Sequence, residues 1–213
     1  MSQIESPPSA ISRGTDEIKK QKPPIEDIFN LPNQLTAGRF VLAIVLFALI
    51  SLRQWEWCLA VFLLAAFTDW LDGHVARKLG ITSTLGRNFD PLVDKMLTCG
   101  AFLFLIPIPE SGIAPWMVCV VVTRELLVTS LRSYLENTGV TFGADWLGKL
   151  KMGLQCAALI AIFLYFTWRS VGWLEWTWGI RDALIYAMLA MTILSGLQYL
   201  WKAWLLWKSE QQQ

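Results

Sequence analysis

The stretch DWLDGHVARKLGITSTLGRNFDPLVD, residues 69–94, places four aspartates at the ends of two strongly apolar segments. Asp69 and Asp72 are three residues apart, whereas Asp90 and Asp94 are four apart. Residues at these spacings lie on one face of an α-helix. Ionisable residues in membrane segments are costly and usually mark a functional site. The stretch therefore predicts two antiparallel helix ends, each presenting a pair of carboxylates, joined by a polar loop between Asp72 and Asp90.

The rest of the chain is strongly apolar. Of its 213 residues, 54% are hydrophobic and 12 are tryptophans. Several segments approach the roughly 20 apolar residues that a membrane-spanning helix needs. We predict an all-α integral membrane bundle with a polar cavity that faces the cytoplasm. Its six spans are expected at residues 35–52, 55–75, 91–108, 114–135, 146–168 and 183–206.

The N-terminal segment differs from this membrane domain, which we place at residues 35–208. Residues 1–24 are rich in Ser, Pro and Lys and are predicted to be a disordered cytoplasmic tail. Residues 25–34 suit either a short helix on the membrane surface or a plain linker.

Basic residues predict the orientation in the membrane. If the N-terminus is cytoplasmic, three of the 18 Lys and Arg residues fall on the outer side, namely Arg53, Arg169 and Arg181. The positive-inside rule then places both termini and the aspartate stretch in the cytoplasm, with a bacterial inner membrane as the default location. A net charge of +1 gives no indication of a nucleic-acid partner.

The four aspartates suggest a metal site. Clustered carboxylates would repel one another and take up protons, and divalent cations relieve that repulsion. Oxygen ligands favour Mg²⁺, Mn²⁺ or Ca²⁺ over zinc. Two such cations can clamp a phosphoryl group during its transfer.

Asp90 also precedes Pro91 as a helix N-cap would, so we expect the third span to begin at Pro91.

The residues between the aspartates suit a phosphate substrate. Gly73 allows close approach, Ala76 is small, and Arg77 can bind phosphate oxygens with its planar fork. Ser83 offers a hydroxyl, and Gly86 permits a tight bend. Any single aspartate could instead be a helix cap, and Arg77 could be a membrane anchor. The joint pattern D-x2-D-G-x2-A-R-x8-G-x3-D-x3-D favours a phosphoryl-transfer site over these separate structural roles.

With this pattern the chain resembles the CDP-alcohol phosphatidyltransferases, whose signature it meets at every fixed position. The resemblance covers roughly residues 30–206. It implies a six-helix membrane enzyme, usually a homodimer, that moves a phosphatidyl group from CDP-diacylglycerol to an alcohol and releases CMP. It also implies that Asp69, Asp72 and Asp90 hold Mg²⁺ or Mn²⁺, and that Asp94 both binds metal and acts as the base. Gly73, Arg77 and Ser83, with Ala76 and Gly86, match positions where the family binds the CDP part.

Other segments resemble the phosphatidylglycerophosphate synthase branch of this family. They are LPNQLTAGRF (31–40), FDPLVDKM (89–96), TRELLVTSLRSYLENTG (123–139) and LGKLKMGLQ (147–155). The resemblance makes glycerol 3-phosphate the expected acceptor and adds Asn33 and Thr36 to the CDP-diacylglycerol site.

An acceptor with a phosphate group needs cationic partners in a cavity of low dielectric constant. The candidates for that role are Arg39, Arg124, Arg132, Lys149 and Lys151. Arg124 could instead pair structurally with Glu125 or a motif aspartate. Arg132, Lys149 and Lys151 could be interfacial anchors.

Three alternatives are considered from the sequence, and one of them, a non-catalytic scaffold that kept the fold, is disfavoured by the intact motif. The first is another acceptor within the family, as in cardiolipin synthases and the inositol-phosphate or serine transferases. The second is a divalent-cation transporter, which would require carboxylates spread along a path across the membrane. Here the carboxylates cluster at one membrane face, which disfavours transport.

Overall fold

The computed structural model describes the backbone of residues 31–79, 84–137, 146–169 and 174–210. These ranges include the turns at 52–54 and 106–114. Within these ranges, the side chains of 69–79, 84–91 and 94 lie outside the description, as do those of several residues near other helix ends. The predicted tail at residues 1–24 and most of the segment at 25–34 also lie outside it.

The described chain is helical, which confirms the all-α prediction. Its helices are α1 (Leu31–Ser51), α2 (Trp55–Leu79), α3 (Thr84–Leu105), α4 (Pro115–Asn137), α5 (Trp146–Arg169) and α6 (Leu174–Glu210).

The helices pack as a bundle around a shared apolar core. α1 lies against α2 and α3, α5 lies against α2, α3 and α6, and α4 contacts α3 and α6. In α5 the buried positions include Ala158, Leu159, Ile162 and Phe163, which recur with helical periodicity. Gly100 of α3 lies against the Phe47 ring of α1, where a Cβ atom would clash. This glycine allows the close packing of the C-terminal half of α3 against α1.

The outside of the bundle is apolar while several polar groups are inside it. Large side chains such as Leu126, Tyr186 and Leu197 are about 60% exposed, whereas Thr192 and Ser195 of α6 are fully buried. Exposed apolar surface of this extent indicates contact with lipid. In the described part of the chain, two segments, Trp146–Arg169 and Trp178–Leu205, are long and apolar enough to cross a membrane.

Three helix starts differ by more than one residue from the sequence-based boundaries, and the first is that of α1, which begins at Leu31 rather than Leu35. α3 begins at Thr84 rather than Pro91, and α6 begins at Leu174 rather than Ala183. The polar residues before Pro91 break the apolar run, but they do not break the helix, because helix continuity depends on backbone hydrogen bonds. Pro91 consequently lies inside α3 rather than at its first turn, so Asp90 is not its N-cap. Helices in membranes tolerate such prolines. Only residues 80–83 separate α2 from α3, so the predicted long loop between the aspartate pairs is wrong.

Candidate active site

The aspartate motif lies on two consecutive helices. Asp69 and Asp72 belong to the C-terminal part of α2, while Asp90 and Asp94 belong to the N-terminal half of α3. Each pair is thus separated by about one helical turn. Three further motif residues lie in α2 and one in α3, namely Gly73, Ala76, Arg77 and Gly86. Ser83 lies outside the described residues.

The donor chemistry of this motif fits a hard divalent cation. Its four ligand candidates are all carboxylates, and Mg²⁺ and Mn²⁺ prefer oxygen donors. Among the side chains that the structure describes, no group of three or more His, Cys, Asp or Glu residues could hold a metal ion. The four motif carboxylates are not among those side chains, so the motif remains the candidate cation site.

A second group of polar residues begins one residue after Asp94. We call it the cation cluster. It consists of seven residues from four helices: Lys95 of α3, Arg124, Glu125, Thr129 and Arg132 of α4, Lys151 of α5 and Tyr199 of α6. Four of its members are basic and one is acidic.

Glu125 is the acidic member of the cluster and pairs with two of its cations. Lys151 Nζ forms an ion pair with Glu125 Oε1, and Arg124 Nη1 lies 3.4 Å from the same oxygen. Glu125 and Lys151 are 7% and 4% exposed. The pairing with Arg124 matches the structural alternative for that arginine, and the burial of Lys151 argues against an interfacial anchor. A buried charge needs such a partner, because an unpaired one is strongly destabilising.

Lys95 connects the cluster to the aspartate motif. Its ammonium group donates to the hydroxyl of Thr129, and that hydroxyl donates to the backbone oxygen of Glu125 at 2.6 Å. Lys95 directly follows Asp94 along α3. The motif and the cluster are therefore neighbours, so one substrate pair could contact both.

Tyr199 holds two of the arginines and was not predicted from the sequence. It is 1% exposed, and its hydroxyl accepts a hydrogen bond of 2.7 Å from Arg132 Nη2. The guanidinium carbons of Arg124 and Arg132 each lie 5.8 Å from the centre of its ring, within the range of cation–π attraction. The available signal was the helical spacing of Thr192, Ser195 and Tyr199 in an otherwise apolar helix.

Small residues let α6 approach these arginines. A Cβ atom at Gly196 would lie 3.3 Å from Arg124 Cγ, which is a tight contact. Glycine at this position thus gives room for the Arg124 side chain beside α6. The position of Arg124 depends on both Gly196 and the Tyr199 ring.

One buried side-chain donor of α4 and one of α5 have no partner among the described residues. Arg124 Nε and Gln155 Nε2 make no hydrogen bond with any described residue. Gln155 lies one helical turn after Lys151 and is 2% exposed. Leaving such a donor unsatisfied costs about 1–3 kcal/mol. A bound ligand with acceptor oxygens would relieve that cost.

The remaining sequence candidates are more scattered. Arg39 is fully buried in α1, and Lys149 is exposed at the start of α5, as an interfacial anchor would be. The side chains of Asn33 and Thr36 lie outside the description, although both residues belong to α1.

The chain is similar to known proteins over most of its length. The family model for CDP-alcohol phosphatidyltransferase matches residues 29–206. Over 194 residues the chain is 33% identical to the CDP-diacylglycerol–glycerol-3-phosphate 3-phosphatidyltransferase of Bacillus subtilis, which covers 83% of this chain and 96% of that relative. The Escherichia coli protein of the same name is 31% identical over 178 residues, covering 81% of this chain and 93% of its own length.

Proposed function

The chain belongs to the CDP-alcohol phosphatidyltransferase family, and we propose that it transfers the phosphatidyl group of CDP-diacylglycerol to sn-glycerol 3-phosphate. The products are phosphatidylglycerophosphate and CMP. The bacterial relatives named for this reaction support the choice of both substrates.

The cation cluster is the observation that carries the choice of acceptor. Among the described residues of the cluster, four cations face a single carboxylate, that of Glu125. A phosphate monoester brings roughly two negative charges at neutral pH. Glycerol 3-phosphate would therefore use the surplus positive charge, whereas serine or inositol, which lack a phosphate, would leave it unbalanced.

The negative charge of the aspartate motif would be balanced by bound metal ions rather than by the cation cluster. Asp69, Asp72, Asp90 and Asp94 would hold two Mg²⁺ or Mn²⁺ ions, which balance four carboxylates. When bound, these ions supply positive charge that stabilises the diphosphate during transfer. The surplus positive charge of the cation cluster then stays available to bind the acceptor phosphate.

The protein residues have distinct roles in the proposed reaction. Asp94 accepts the proton of the 1-hydroxyl of glycerol 3-phosphate. The resulting oxygen attacks the phosphorus that carries diacylglycerol, the phosphoanhydride bond breaks, and CMP leaves. Arg77 and Ser83 bind the CDP part, together with Gly73, Ala76, Gly86, Asn33 and Thr36.

Arg124, Arg132 and Lys151 bind the acceptor phosphate, with Arg39 and Lys149 as further contributors. Three of these five candidates lie in the cation cluster, and Arg124 contributes a buried donor without a described partner. A phosphate oxygen could accept a hydrogen bond from that donor.

The membrane arrangement is also part of the proposal. We expect six membrane helices, a homodimer, and a site that faces the cytoplasm of a bacterial inner membrane. The distribution of Lys and Arg supports this orientation, and the apolar outer surface of the bundle supports contact with lipid.

A transfer assay tests the proposed reaction. Purified protein with labelled CDP-diacylglycerol, glycerol 3-phosphate and Mg²⁺ should yield labelled phosphatidylglycerophosphate and an equal amount of CMP. Chelation of the cation with EDTA should stop the reaction, and added Mg²⁺ or Mn²⁺ should restore it. Turnover that continues in EDTA would contradict the assignment of the four aspartates.

The Tyr199→Phe variant tests whether Tyr199 positions the acceptor site. It keeps the ring but removes the hydroxyl that accepts the hydrogen bond of Arg132. We expect the KM for glycerol 3-phosphate to rise roughly 3- to 10-fold. A hydrogen bond to a charged group contributes about 1.5–3 kcal/mol, but Tyr199 affects the acceptor only through the position of Arg132, so only part of that energy is lost from acceptor binding. The KM for CDP-diacylglycerol should change little.

Tyr186→Phe is the matched control for this variant. Tyr186 lies on the same helix, but its side chain is 61% exposed. Its kinetic constants should equal those of the wild type. Equal rises in both KM values for Tyr199→Phe would show a general structural effect and remove Tyr199 from the acceptor site.

A further inference from the structure

The bundle contains a cavity at the end opposite to the aspartate motif. Its volume is about 560 Å³. Its lining comes from the α1–α2 turn, the α3–α4 loop and the end of α5, and comprises Arg53, Trp55, Ile108, Pro109, Glu110, Phe166 and Arg169. Trp55 begins α2, so Asp69 is about 20 Å away along that helix at 1.5 Å per residue. The cavity is therefore separate from the proposed reaction site.

One wall of the cavity is aromatic. The rings of Trp55 and Phe166 stack with their centres 4.2 Å apart. The exposed side chains of Leu52 and Trp57 flank the same turn. Tryptophans and apolar residues at helix ends are typical of the boundary between membrane and water. The cavity thus lies where a lipid head group would meet the protein.

The acidic group in the cavity is already paired. Arg169 Nη2 donates to Glu110 Oε1 at 3.2 Å, and Arg169 Nη1 forms an ion pair with Glu110 Oε2. Arg181 donates to the backbone oxygen of Glu110. These contacts fix the α3–α4 loop and neutralise Arg169. The remaining charge in the cavity is that of Arg53, whose guanidinium forms no ion pair or hydrogen bond with a described residue.

Arg53 occupies a position that favours glycine. Its φ angle is 57°, and it ends α1 with two backbone hydrogen bonds, from Arg53 N to Ile50 O and from Gln54 N to Leu49 O, each 3.0 Å long. This is the C-terminal cap in which glycine usually adopts the left-handed conformation. A side chain in that conformation costs about 1–2 kcal/mol. The geometry of the turn therefore does not account for an arginine at this position.

We propose that this cavity binds the phosphodiester head group of an anionic phospholipid, with Arg53 as the cationic contact. The unpaired charge of Arg53 would bind the phosphate, and the Trp55–Phe166 wall would pack against the adjoining glycerol and acyl carbons. The volume admits a head group, and the exposed apolar residues beside the turn would contact the tails.

Thermal unfolding of the full-length protein in detergent tests this proposal. Dioleoylphosphatidylglycerol should raise the Tm of the wild type by a few degrees more than dioleoylphosphatidylcholine, because a ligand that binds the native state stabilises it. Arg53→Gln should abolish this difference, and Arg53→Lys should keep most of it. Lys208→Gln removes one exposed positive charge at the other end of the bundle and should leave the difference unchanged.

Two further measurements distinguish binding of the lipid from relief of backbone strain and from binding of free phosphate. Arg53→Gly should raise the Tm without lipid, since glycine relieves the strained φ angle, and should lose the response to the anionic lipid. Inorganic phosphate at the same concentration should not reproduce the lipid effect. The proposal is overturned if Arg53→Gln keeps the full difference, if the wild type shows no difference, if Arg53→Gly lowers the Tm, or if inorganic phosphate acts equally well.

Discussion

Replacement of Asp94 by asparagine should lower kcat by about 10²–10⁴-fold or more while the protein still folds and inserts into the membrane. A positioned general base commonly contributes a factor of that size. The variant also loses one of four carboxylates that we assign to cation binding, so added Mg²⁺ should restore little activity. Turnover of labelled CDP-diacylglycerol by purified protein measures the effect.

Asp182→Asn is a suitable control for this experiment. Asp182 pairs with the neighbouring Arg181 at 2.7 Å and lies in α6, outside the motif. Its replacement should leave kcat close to that of the wild type. Full turnover by Asp94→Asn would rule out Asp94 as the base, and an unfolded variant would be recognised by the loss of its thermal transition.

Replacement of Arg124 by alanine should raise the KM for glycerol 3-phosphate by about 10- to 100-fold, the range that corresponds to one lost hydrogen bond between charged groups. The KM for CDP-diacylglycerol should change far less. Glu125 keeps its ion pair with Lys151 in this variant, so no buried carboxylate is left without a partner. Steady-state kinetics with each substrate varied in turn would measure the two constants.

Arg124→Lys and Lys208→Ala complete this experiment. Lysine retains the charge but not the planar fork of arginine. The KM of Arg124→Lys for glycerol 3-phosphate should therefore lie between those of the wild type and Arg124→Ala. Lys208 is exposed near the C-terminal end of α6, and its removal should have no effect. An unchanged acceptor KM for Arg124→Ala would place Arg124 outside the acceptor site and leave it as a structural partner of Glu125.

Much of the helical architecture could be predicted because apolar runs identify helices that contact lipid. The starts of α2 and α5, at Trp55 and Trp146, agree with the sequence-based boundaries. The start of α3 could not be predicted in this way. Proline is favoured at the first position of a helix, and the polar residues from Thr84 to Asp90 carry no apolar pattern that reveals a helix.

The candidate site could be proposed from the sequence to the extent that its residues are close together in the chain. The aspartate motif is a local pattern, so its spacing alone indicated a phosphoryl-transfer site. The contacts of the cation cluster join residues far apart in the chain, such as Arg132 with Tyr199 and Glu125 with Lys151. No local spacing encodes them, because they arise from the packing of α4 against α6 and of α5 within the bundle.

A comparison of acceptors is the most direct test of the proposed function. Purified protein would receive labelled CDP-diacylglycerol and Mg²⁺ with glycerol 3-phosphate, inositol phosphate, serine or phosphatidylglycerol, each alone and then all together. We expect labelled phosphatidylglycerophosphate from glycerol 3-phosphate in both formats and little product from the other acceptors. Preferred transfer to any other acceptor, with glycerol 3-phosphate unused, would contradict the proposed function, and preferred transfer to serine would also contradict the assignment of the cation cluster to an acceptor phosphate.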